Sequence, residues 1–243
     1  MAVRSRDERL HARGLPGPAG LRGPRSLPRR RGVLRTRAGA DTTWALKTDF
    51  IPAALSLSAK FEKAEGLAFV GYGIAAEKVN YDDYAGIESK GKVVLALRYS
   101  PAGDDPHSPL REFEALRYKA LQAREHGAAA LLVVIGKKDS LLPELKFDRA
   151  SGDAGLPVLY VTRQVASWLL QSSGQNLDAL QDSIDATKQP RSFLCAEAQA
   201  QLEAEVILQR REAVNVIGML AGSAAPAQKQ AIIIGAHYDH LGR

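Results

Sequence analysis

Four short, nearly unbroken apolar runs, Leu67–Val70, Val93–Leu97, Ala128–Ile135 and Leu156–Val161, constrain this chain more than any other feature. A strand with one wet face alternates polar and apolar residues, whereas a run that is apolar at every position is covered on both sides. The covering layers are expected to be helices. Ser108-Pro109 starts one, with Ser as N-cap and Pro at the first helical position. Leu110, Phe113, Leu116, Ala120 and Leu121 then recur at spacings of three and four, and Gly127 can end the helix. Helix followed by buried strand is half of a crossover unit. Thr162 caps a further helix through Trp168-Leu169-Leu170, and Leu177–Ile184 makes another helical turn or two. The reading is a small mixed α/β domain.

Charge is unevenly distributed. The chain of 243 residues carries +6 overall, but residues 1–43 hold eleven Arg and three acidic residues, a net +8, which leaves −2 for the remainder. That first segment is rich in Arg, Pro and Gly and shows neither a helical nor a strand period, so it is expected to be disordered. It lacks the apolar stretch of a secretory signal, and its Pro and Gly break the amphipathic helix of a transit peptide. It has no interleaved aromatics or folded basic face, which argues against a nucleic-acid partner. Out-of-frame translation of GC-rich DNA is an alternative origin for it, given the abrupt change at Trp44-Ala45-Leu46-Lys47. No run reaches the roughly 18 apolar residues that span a bilayer. The single cysteine, Cys195, can form no internal disulfide and reads as a small buried apolar residue.

Chemistry within the expected domain is sparse. Gly71-Tyr72-Gly73-Ile74-Ala75-Ala76 matches the spacing of a dinucleotide fingerprint, but no apolar-faced helix follows to receive a pyrophosphate. Adjacent acids in Tyr81-Asp82-Asp83-Tyr84 read as solvated loop carboxylates rather than an acid/base pair. His107 and His126 lie beside a helix cap and a helix end, in structural or exposed positions.

The C-terminal part has a different character. Leu202, Ala204, Val206 and Leu208 alternate with polar residues, predicting a half-exposed strand over 201–209. Ala231–Ile234 is a buried strand, followed at once by Gly235-Ala236-His237-Tyr238-Asp239-His240. His237 and Asp239 lie two apart, so on a persisting strand they point to the same side. One imidazole can then bind a metal while a carboxylate orients its ring.

Phe69–Ile74, Tyr81–Ile87, Lys90–Val94, Glu114–Ala120, Glu125–Ala130 and Leu156–Thr162 resemble the protease-associated domain inserted in many bacterial zinc aminopeptidases, over about residues 65–185. Asn215–Gly218, Ala221–Ser223 and Ile233–Gly242 resemble the opening of the catalytic domain of metallopeptidase family twenty-eight. With 1–43 expected from its composition to be disordered and 44–64 to be a connector, the resemblance implies a protease-associated domain 65–186 and the first strands of an α/β peptidase sheet in 187–243. It implies His237 as a zinc ligand and Asp239 as the catalytic aspartate supporting the metal site, and it gives His240 no ligand role.

The family mechanism uses two zinc ions sharing a water, with a glutamate as general base, on a peptide or protein substrate, and the inserted domain influences which substrates enter. The family's remaining ligands would lie past Arg243, so the chain as it stands is expected to hold less than one tight zinc and to hydrolyse nothing. A non-catalytic peptide-binding module with a vestigial peptidase segment is the competing expectation. Relatives are mostly exported, which implies an extracytoplasmic location. Oligomeric state and residue preference are not legible.

Overall fold

The computed structural model describes residues 29–56, 60–61, 66–103, 105–144, 152–195 and 197–207. Twelve strands occur among them: β1 (Arg29–Ala38), β2 (Ala40–Trp44), β3 (Phe50–Pro52), β4 (Lys60–Phe61), β5 (Leu67–Phe69), β6 (Ala75–Ala76), β7 (Tyr81–Asp82), β8 (Val93–Leu97), β9 (Ala130–Val134), β10 (Val158–Val161), β11 (Phe193–Cys195) and β12 (Gln199–Ile207). The helices are α1 (Leu116–Glu125), α2 (Arg163–Gln171) and α3 (Leu177–Thr187), with single turns of 3-10 helix at Glu77–Val79 and Pro109–Phe113.

The four apolar runs supply β5, β8, β9 and β10, which pair in parallel at the centre of a six-stranded sheet. Antiparallel strands close both edges, β11 against β5 and β3 against β10, in the order β11-β5-β8-β9-β10-β3. Successive side chains along a strand point to opposite faces, and the apolar runs divide accordingly. Leu67, Phe69, Val93, Leu95, Leu97, Leu132, Val134, Leu159 and Val161 form one core with Val165, Leu169 and Leu170 of α2 and Ile184 of α3. Ala68, Val94, Ala96, Leu131, Val133 and Val158 form the other with Ala120 and Ala123 of α1. Every residue of β5, β8 and β9 is buried, which is why no polar residue interrupts them. The mixed α/β class expected from the sequence is the architecture found.

A second, antiparallel sheet has the order β2-β1-β12-β4. Residues 29–43, expected from their composition to lack order, pair here as β1 and most of β2. Leu34 lies opposite Leu202 of β12, and Thr36 opposite Ala200. These four residues are buried, while Val33, Arg35, Arg37, Gln199 and Gln201 are exposed. One inward leucine and one inward threonine are too few to show as a period in an arginine-rich stretch, yet they suffice once β12 supplies the matching face. Trp44 fixes the end of β2: its indole Nε1 donates to Thr36 Oγ1 at 2.7 Å, and its ring meets Trp168 of α2 edge-on at 5.8 Å.

The single helix expected from Ser108 onward is two elements. Ser108 caps a 3-10 turn, accepting from Leu110 N, and the chain then breaks at Glu114-Ala115 before α1 begins. On α1 the buried stripe is Lys119, Ala120 and Ala123, with Leu121 at 36% exposure, so the helix is rotated from the expected stripe. Thr162 and Asn176 cap α2 and α3, accepting from Val165 N and Ala179 N.

Candidate functional site

His237, Asp239 and His240 lie outside the described residues, as do the strand expected at Ala231–Ile234 and the stretch Ala221–Ser223. Among the described residues no cluster of three or more His, Cys, Asp or Glu stands where it could hold a metal ion. No helix among them is long and apolar enough to cross a membrane.

The polar chemistry that is described gathers at the carboxyl ends of β5 and β8. This is the edge of an open α/β sheet at which crevices form. Its foundation is the turn Gly71-Tyr72-Gly73, whose glycines have φ of 46° and 68°. A side chain at Gly71 would place a Cβ 2.3 Å from Asp83 Oδ1, so the turn closes directly onto that carboxylate. Asp83 is fully buried. It accepts from Tyr72 N at 3.0 Å, Ile74 N at 3.1 Å and the Tyr81 hydroxyl at 3.1 Å. Burial pushes its carboxyl up to about 7, against the pull of the Ile74 N–H, the Tyr81 hydroxyl and Lys119. The expectation that Asp82 and Asp83 are both solvated is therefore corrected. Asp82 is half-buried and accepts from Tyr84 N, whereas Asp83 organises the glycine turn.

Lys119 approaches the same turn from α1. It is 1% exposed, and its ammonium donates to the carbonyls of Tyr72, Leu97 at 3.2 Å and Tyr99 at 2.6 Å. It also lies 5.5 Å from the centre of the Tyr72 ring. Burial pulls its amine down to about 7, opposed by the nearby charges of Asp83 and Glu114. Tyr72 is thus held on every side: N–H on Asp83, carbonyl on Lys119, and hydroxyl donating to Asp185 at 2.6 Å while Gln181 donates to it at 3.2 Å. Its hydroxyl is pushed up by burial and by Asp185.

Beside Lys119 lies a cavity of about 240 Å³ lined by Arg98, Tyr99, Glu114, Leu116 and Tyr160, among others. Arg98 donates to Asp139 at 3.0 Å, and its guanidinium lies over the Tyr99 and Tyr160 rings at 4.7 and 5.6 Å. Glu114 accepts from Ser100 Oγ at 2.8 Å. Tyr99 has φ of 69°, a left-handed conformation uncommon for a bulky residue. The arrangement offers an aromatic-flanked cation and a carboxylate around a space the size of one side chain.

None of Asp83, Arg98, Tyr99, Glu114 or Lys119 was singled out by sequence reasoning as a site residue. A signal for Lys119 existed: Leu116, Lys119, Ala120 and Ala123 follow the i, i+3, i+4, i+7 pattern of a buried stripe. A lysine inside such a stripe marks a buried cation. The remaining sequence-level readings of this region hold. No helix of any length follows the glycine turn, only the 3-10 turn Glu77–Val79. His107 is exposed, and His126 stacks on Tyr84 at 4.2 Å. Cys195 is buried, its thiol pushed up by desolvation.

No protein-family model matches this sequence, and no curated protein matches it. Among solved structures, the chain is similar to BSAP, a zinc aminopeptidase from Bacillus subtilis, in two determinations. Identity is 19% and 20% and TM-score 0.39 and 0.38, over 74% of this chain and 31% and 32% of that one. It is also similar to a peptidase M28 precursor from Shewanella amazonensis, at 12% identity and TM-score 0.30, over 74% of this chain and 36% of that one. The chain spans about a third of the length of these structures.

Proposed function

We propose that this chain is part of a zinc-dependent metallopeptidase, an aminopeptidase that hydrolyses N-terminal peptide bonds. In this reading residues 65–186 are a protease-associated domain governing substrate entry, and 187–243 open the catalytic domain. The observation that carries it is the stretch Ile233–Gly242, where an imidazole and a carboxylate two residues apart follow an apolar run of the sequence.

The donor chemistry fits zinc, which takes neutral imidazole nitrogen and carboxylate oxygen. His237 would hold the ion through one ring nitrogen, and Asp239 would accept from the other ring N–H, fixing tautomer and orientation. A catalytic zinc has about three protein ligands, so further donors complete the site. When bound, such a centre of two ions lowers the pKa of a shared water and polarises the scissile carbonyl. An extracytoplasmic location goes with this reading.

The test uses the protein carrying this segment, assayed for bound zinc and for hydrolysis of aminoacyl anilides. His237→Ala is expected to abolish both, and Asp239→Asn to weaken zinc binding about 10–100-fold. Unchanged zinc content and turnover in His237→Ala would sink the reading. A second reading, a peptide-binding module without catalysis, draws on the cavity between Arg98, Glu114 and Tyr160, which contains no metal-ligand cluster. Peptide binding that survives chelation, with no hydrolysis at any zinc concentration, would favour it.

A further inference from the structure

The cavity beside Lys119 is lined by a guanidinium and a carboxylate, Arg98 and Glu114, and both are half-buried, with side-chain exposures of 28% and 24%. At that depth a charge can still be reached from solvent, yet salt screens it less than at the open surface. Each is anchored on one side and open on another. Arg98 Nη1 donates to Asp139 Oδ2 at 3.0 Å, which leaves Nε and Nη2 without a partner among the described residues. Glu114 takes its contacts on Oε1, from the Ser100 hydroxyl at 2.8 Å and Arg111 Nε at 3.8 Å, so Oε2 has none among the described residues.

The same anchors fix the walls. Asp139 accepts from the Tyr99 hydroxyl at 2.9 Å and from Gly136 N at 2.8 Å, so Arg98 and the Tyr99 ring hang on one carboxylate. The guanidinium in turn lies over the Tyr99 and Tyr160 rings. Leu116 adds an apolar side. Lys119 has nothing left for a ligand, because its three N–H groups are taken by the carbonyls of Tyr72, Leu97 and Tyr99.

A ligand that met only one of the two charges would desolvate the other without pairing it, which is costly. A fitting ligand therefore carries an anion and a cation a few bonds apart. The volume of about 240 Å³ lies below the roughly 300–1,000 Å³ of pockets that enclose drug-sized molecules, so the occupant has the size of one residue. A free amino acid has that size and bears both charges on one carbon. A residue within a peptide bears neither, and a terminal residue bears one.

We propose that this cavity binds a free α-amino acid with an apolar side chain, its carboxylate on the Arg98 guanidinium, its ammonium on the Glu114 carboxylate, and its side chain against Tyr99, Tyr160 and Leu116. Neither zinc nor turnover enters this binding, so it can fail while the peptidase reading stands, and the reverse.

The experiment is an NMR titration of the full chain with L-leucine, with N-acetyl-L-leucine, which lacks the ammonium, and with L-leucinamide, which lacks the carboxylate. Leucine is expected to shift the amides of residues 98–100 and 114–116 saturably, with a Kd of about 1 mM or below, the range open to a ligand of so few atoms. Each analogue should bind at least about tenfold more weakly, through loss of a charge-assisted hydrogen bond. Glu114→Gln should weaken leucine at least about tenfold and leave N-acetyl-L-leucine unchanged, whereas Arg98→Met should weaken leucine and leave L-leucinamide unchanged. Absence of a saturable shift at these residues overturns the proposal. Equal binding of leucine and either analogue overturns it too, and assigns the cavity to a peptide terminus instead. If Arg98→Met does not fold, the three ligands and Glu114→Gln decide the matter.

Discussion

The two faces of the six-stranded sheet solve the same burial problem with different materials. Under α2 and α3 the filling is bulky: Phe69, Leu95, Leu97, Leu132 and Leu159 meet Leu169, Leu170 and Ile184. Under α1 it mixes Val94, Leu131, Val133 and Val158 with the alanines Ala68, Ala96, Ala120 and Ala123. The inward positions of α1 bring the ammonium of Lys119 against the carboxyl ends of β5 and β8. The first face is held by area removed from water, which has no direction. The second also depends on a few directed contacts, of Lys119 with the Tyr72, Leu97 and Tyr99 carbonyls and of Asp83 with the glycine turn. The adaptable chemistry of the described residues is concentrated there.

The largest expected effect comes from Lys119→Ala. It leaves three carbonyls without a donor, and should cost about 3–5 kcal/mol in urea denaturation, since each buried acceptor left unpaired costs about 1–3 kcal/mol. A loss under about 1 kcal/mol would show that the α1 face does not rest on this contact. On the other face, Leu95→Ala removes a fully buried leucine and should cost about 2–5 kcal/mol through lost burial and a residual cavity. Its cost should be the same at every pH, unlike that of Lys119→Ala.

The pH dependence sharpens the contrast. Asp83, raised from 3.8 to about 7 in the fold, contributes stability that is fully present below its ordinary value and is lost as pH rises through about 7. Lys119, lowered from 10.5 to about 7, contributes stability that is present above its ordinary value and is lost as pH falls through about 7. Together they place a minimum in stability near neutral pH. Asp83→Asn should remove the acidic limb of that minimum, which denaturation at stepped pH would read out. A curve of unchanged shape would refute the assignment.

The smallest effect belongs to Tyr84, also under α1. Its hydroxyl is buried with no hydrogen-bond partner, while its ring stacks on His126. Tyr84→Phe keeps the ring and removes the unsatisfied group. The variant should be unchanged or more stable by about 1 kcal/mol, measured as a shift in denaturation midpoint. A clear loss of stability would show that the hydroxyl is satisfied after all.

The central strands were legible because burial on both faces forbids polar residues, and that prohibition is written residue by residue in Val93–Leu97 and Ala130–Val134. The caps Ser108, Thr162 and Asn176 act through bonds spanning two or three residues, and the first two were read from local sequence. The break at Glu114-Ala115 was not, since a 3-10 turn followed by an α-helix has nearly the same apolar spacing as one longer helix. Strand pairing in 29–43 was hidden for another reason. Leu34 and Thr36 acquire a buried face only from Leu202 and Ala200, more than 160 residues away.

The sequence by itself determined the α/β class and the four central strands, and it places His237 and Asp239 two residues apart, the spacing on which the proposed peptidase reading rests. Those properties depend on neighbours in the chain, or on composition at consecutive positions. Only the tertiary structure decided that Asp83 is buried rather than solvated, that Lys119 turns inward, and that Arg98, Tyr99, Glu114 and Tyr160 surround one cavity. The protonation of a carboxylate or an amine is set by the dielectric and the dipoles around it, and those come from residues that meet only when the chain has folded.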